Sequence, residues 1–133
     1  MSIELVSRAV ADAENMGLFY YPKRPVPLDE ISNCESKIRY AFPASYRHFL
    51  TYCGFAGISG TEFYGLVTGD LNSSSHLNAF NFTKEMHEEF EFPKELFAFE
   101  NFDGDALACL NLSQMNEGEC PVILWDHLSL IHI

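Results

Sequence analysis

Residues 95–111 read ELFAFEN, then Phe102-Asp103-Gly104, then DALACLN. Two apolar runs flank an Asp-Gly step, the strongest short-range signal for a tight hairpin. The spacing predicts antiparallel strands over 95–101 and 105–111. A strand pair alone is marginal in water, so other elements must pack on it. A third strand is expected at 120–126, CPVILWD, after a turn at Asn116-Glu117-Gly118.

The first half carries a different period. Ile3, Val6, Ala9, Val10, Ala13 and Met16 recur at helical spacing, with Ser2 as a candidate N-cap and Gly17 as a stop. Residues 18–27, LFYYPKRPVP, hold three prolines and read as an extended linker. Leu28, Ile31, Cys34 (or Glu35), Ile38 and Tyr40–Phe42 predict a second helix. Pro43 interrupts it and opens a third, whose apolar stripe is Tyr46, Phe49, Leu50 and Cys53 and whose stop is Gly54. The segment GFAGISG is expected to be irregular, 62–67 a strand, and GDLNSSSH a loop or helix start. Residues 76–90 read as a helix ending before Pro93, with Leu77, Phe80, Thr83 or Lys84, Met86 or His87, and Phe90 as inward positions. Helices first and a mostly antiparallel sheet later is the pattern of an α+β fold: N-terminal helices packed on the sheet in one domain spanning 1–133.

Composition bounds the function. With 133 residues and 47% hydrophobic content, the chain can bury one real core. Its 8 basic and 19 acidic side chains argue against direct binding to nucleic acid or to an anionic membrane surface, both polyanions. The imbalance is local: residues 1–66 carry six basic and seven acidic groups, residues 67–133 two and twelve. Such a surface suits a basic protein partner, metal ions or solubility alone.

Cys34, Cys53, Cys109 and Cys120 show no metal-ligand spacing and read as reduced, buried thiols. No signal-peptide pattern opens the chain and no apolar run is long enough for a membrane span, so a cytoplasmic protein is expected. Asp103-Gly104-Asp105 is followed by Ala106 and Leu107, where a calcium loop would continue with acids or amides, and reads as a turn. His48 and Cys53 are five residues apart on one predicted helix and do not face each other. Asp126 and His127 are adjacent on a strand and point to opposite faces. Gly54, Gly57 and Gly60 lack the Lys-Ser/Thr that a phosphate loop needs. No catalytic, cofactor-binding or metal-ligating residue is expected, and no enzyme activity. The acidic run Glu85, Glu88, Glu89, Glu91 and Glu95 has two readings, a solvated helix face or a patch shaped for a basic partner.

The stretch FPASYRHFLTYCGFAGISGTEFYGL, Phe42 to Leu66, resembles the first half of the SUKH superfamily signature: a helix LP-x-x-Y-x-x-F-L, a glycine-bearing loop, and a strand with an aromatic-Gly step. Phe42 stands where that motif has Leu. FENFDGDALACLNLSQMNEGECPVILWDH, Phe99 to His127, resembles the second half, with its D/N-G-D turn, apolar strand, G-E-x-P-V and W-D ending. The resemblance covers most of residues 27–127. It implies a bacterial immunity protein that neutralises a cognate secreted polymorphic toxin, commonly a nuclease, by occlusion. A nuclease surface is basic and would meet Glu85, Glu88, Glu89, Glu91, Glu95, Asp103 and Asp105. Some eukaryotic relatives imply an alternative, a non-catalytic regulatory or scaffold module. Family members also continue into a C-terminal helix. Here LSLIHI follows the W-D strand, so that helix is expected to be short or missing, leaving one sheet face for a homodimer or a partner to cover.

Overall fold

The structure is a computed structural model that describes residues 3–58, 60–102, 104, 106–126 and 130–132. Helix α1 spans Ile3–Asn15, α2 Leu28–Ile38 and α3 Ala44–Tyr52. A small hairpin follows, β1 (Ala56–Ile58) and β2 (Thr61–Phe63), then α4 (Ala79–Glu89). Strands β3 (Leu96–Phe102), β4 (Ala106–Asn111), β5 (Val122–Trp125) and β6 (Leu130–His132) form one sheet in chain order, each pair antiparallel. The α+β class expected from the sequence is the class observed.

The hairpin strands read as unbroken apolar runs because both their faces are buried. Side chains alternate across a strand. Phe97, Phe99, Ala108 and Leu110 face a core shared with Phe42, Tyr46 and Leu50 of the helical layer. Leu96, Ala98, Leu107, Cys109 and Ile123 face a second core with Met86 and Phe92, and Trp125 packs at its margin. The sheet face expected to stand open is therefore covered over β3–β5 by α4 and the segment after it. Helix α4 also serves the sheet edge: Thr83 Oγ1 accepts the Ala98 N–H at 3.0 Å, satisfying a donor on the edge strand β3.

Several boundaries differ from expectation. Helix α2 stops at Ile38 because Arg39 turns left-handed at φ 65° and the Glu35 carboxylate takes the Phe42 N–H at 2.6 Å. GFAGISG is not irregular, since Ala56–Ile58 pair with Thr61–Phe63. The strand expected over 62–67 ends at Phe63. Beyond it the backbone crosses a close neighbour: a Cβ on Gly65 would lie 1.6 Å from the Gly54 carbonyl oxygen. Helix α4 begins three residues later than expected because Asn78 is fully buried and spends its amide on the Leu71 and Ser73 carbonyls, both at 2.8 Å. The chain closes with four strands, not three, since Leu130–His132 add β6.

Candidate protein-binding face

Helix α4 buries Ala79, Thr83 and Met86. At about 100° per residue, Glu85, Glu88 and Glu89 lie about 200°, 140° and 240° round the helix from Thr83, on its outer side. All three are exposed. Asn81 Nδ2 donates to Glu85 at 3.2 Å. The Glu88 and Glu89 side chains make no hydrogen bond or ion pair among the described residues, so their charge is open to solvent. Glu91 is exposed just past the helix, whereas Glu95 is half-buried at the start of β3 and is not part of the helical face. Asp103 and Asp105 lie outside the described residues.

Beside this acidic face runs an apolar cleft that the sequence reading did not foresee. It encloses about 220 Å³ and is lined by Phe82, Met86, Phe90, Leu107 and Trp125. Phe82 is three residues before Glu85 and four before Met86, so acidic face and cleft share a border along the helix. Phe90, expected to point inward, ends the helix in extended backbone and is 44% exposed. Trp125 is held edge-on to Phe92 with ring centroids 5.0 Å apart. Exposed aromatics rimmed by charge are what protein interfaces use as anchors.

The motif residues do different work. The Ser45 N–H and hydroxyl donate to the two Glu119 carboxylate oxygens at 3.1 and 2.6 Å, and the Ala44 N–H donates to the Gly118 carbonyl at 2.8 Å. Pro43 offers α3 no side-chain cap, so a glutamate 74 residues away supplies it, where a negative charge also meets the helix dipole favourably. Glu117 and Gly118 both have positive φ, as a tight turn of this hand requires, and so present Glu119 to the helix. The buried Tyr46 hydroxyl donates to the Tyr64 carbonyl at 2.8 Å. These residues build the scaffold.

A second carboxylate site escaped the sequence reading. Glu62 accepts from the Tyr21 hydroxyl at 2.5 Å and lies 3.2 Å from His76 Nε2. The Tyr21 bond, aided by His76, holds the Glu62 carboxyl below the usual carboxylate range despite partial burial. The same bond pushes Tyr21 up to about 12. Nothing in the local sequence signals a pairing across 41 residues.

The four cysteines are buried and unpaired with one another. Burial raises Cys34 and Cys109 to about 12 and Cys53 and Cys120 to about 11, so each remains a thiol at neutral pH. His48 Nε2 lies 2.7 Å from the Ser7 hydroxyl, while Cys53 is sealed in the core. Among the described residues no three His, Cys, Asp or Glu side chains converge as metal ligands, and no helix is long and apolar enough to cross a membrane.

The SUKH_5 family model, described as SMI1-KNR4 cell-wall, matches residues 8–131, a span that contains both motif stretches and the contacts that join them. This chain belongs to that family.

Proposed function

We propose that the protein is a non-catalytic immunity protein, acting in the cytoplasm, which binds the basic nuclease domain of a cognate secreted toxin and blocks it by occlusion. The observation that carries this reading is the acidic outer face of α4, Glu85, Glu88 and Glu89, bordered by the aromatic cleft at Phe90 and Trp125. Charge complementarity would speed encounter by about 10- to 1,000-fold, and the aromatic cleft would supply the desolvated centre of the contact. Glu91 continues the face, and the proposal also takes in Asp103 and Asp105, which lie between β3 and β4 in the sequence.

The test is co-expression with the toxin domain encoded beside this gene, scored as survival, together with association kinetics at rising salt. The wild-type chain should rescue growth, and association should slow as salt rises. Glu88→Lys with Glu89→Lys should slow association at least about tenfold at low salt. Unchanged kinetics in that double variant would remove α4 from the interface, and failure to rescue would reject the pairing with that toxin.

A further inference from the structure

The opposite flank of α4 presents the reverse chemistry. A cleft of about 350 Å³ opens between the end of α2, α4 and the start of β3. Its apolar wall includes Tyr40, Phe80 and Phe97, and its charged groups are Lys37, Lys84 and Lys94. No carboxylate lines it. Lys84 and Lys94 are the only Lys or Arg residues after position 66, in a stretch that holds twelve acids. All three lysines are exposed, and none is ion-paired among the described residues. Glu85, Glu88 and Glu95 neighbour Lys84 and Lys94 in the chain, yet none of them lines the cleft. Three lysines thus line one apolar concavity whose volume lies within the usual range of small-ligand pockets, about 300–1,000 Å³.

We propose that this cleft binds a small organic acid, with an aromatic or aliphatic body against Tyr40, Phe80 and Phe97 and a single anionic head among Lys37, Lys84 and Lys94. The body supplies burial and the head supplies orientation, because ammonium groups recognise a carboxylate or phosphate oxygen as point charges. The cleft borders the acidic face of α4, with Lys84 one turn before Glu88, but none of its lining residues belongs to that face, and the proposal does not depend on the immunity reading.

The experiment titrates the full chain with naphthoate, with its neutral counterpart naphthalenemethanol, and with inorganic phosphate, followed by backbone amide correlation spectra. Naphthoate should shift the amides around Lys37, Lys84 and Lys94 saturably, and bind about tenfold more tightly than the alcohol or phosphate alone. Lys84→Gln with Lys94→Gln should weaken naphthoate about tenfold while leaving the thermal midpoint in place. The proposal is overturned if the alcohol binds as well as the acid, which would mean an apolar patch only. Equal affinity for phosphate would mean a plain anion site and overturn it too. Unaltered naphthoate binding in the double variant, shifts that map elsewhere, or no saturable binding at millimolar naphthoate each reject it.

Discussion

Glu119 and Glu88 both belong to the acidic second half of the chain, and the fold uses them in opposite ways. Glu119 is half-buried and spends both oxygens on Ser45, which is fully buried. Glu35 and Glu62 behave similarly, each tied to a backbone N–H or a hydroxyl from another element. Glu88 and Glu89 stand in solvent with close like-charged neighbours on the same helix, an arrangement that costs about 0.2–0.5 kcal/mol per pair. That cost brings the fold no side-chain hydrogen bond or ion pair among the described residues, and in the proposed function a basic partner offsets it. Net charge alone conceals this division, because inward and outward acids count the same.

The comparison breaks first at Glu119. Glu119→Ala should lower stability by about 2–3 kcal/mol in urea denaturation, since it strands the buried Ser45 hydroxyl and N–H and uncaps α3. A loss under about 0.5 kcal/mol would place Glu119 with the solvent-facing acids. A smaller effect is expected at Glu62. Its lowered pKa means that its contribution is present above the unfolded carboxylate value and is lost as pH falls through the folded one. The raised Tyr21 contributes below the unfolded tyrosine value and loses that contribution as pH climbs toward about 12. In Tyr21→Phe, carboxyl NMR should show Glu62 titrating at higher pH, and one alkaline tyrosine transition should vanish. An unmoved Glu62 would remove it from the tethered class. The smallest effect is expected on the helix face. Glu88→Lys with Glu89→Lys should change stability by no more than about 0.5 kcal/mol, in the stabilising direction if repulsion dominates. A large loss there would assign these acids to the scaffold.

Elements with long, regular periods were legible in the sequence. The stripes of α1 and α3 and the Asp-Gly step between β3 and β4 lie in the chain as local patterns. Strand β1 was not legible, because Gly57 reads as a breaker. It is glycine since a Cβ there would meet the Tyr20 and Tyr21 rings at 2.5–2.6 Å, a contact made by a segment over thirty residues earlier. The start of α4 was misread for a related reason, since Asn78 answers to the 71–73 turn before it answers to the helix. The acidic run was visible as a cluster. Its aromatic border was not, because the helical period sends Phe90 inward and only the break after Glu89 turns it out.

The reach from Ser45 to Glu119 also bears on the order in which the molecule forms. A ribosome delivers the Ser45 end of this contact long before the Glu119 end, 74 residues later. Until then the first turn of α3 has unpaired donors, and the sheet lacks β5 and β6. Contacts of such sequence separation make folding slow and late. A nascent chain cut short of the Asn116–Glu119 turn therefore holds helices without a finished fold. Newly made copies complete this capping contact only when nearly the whole chain has emerged.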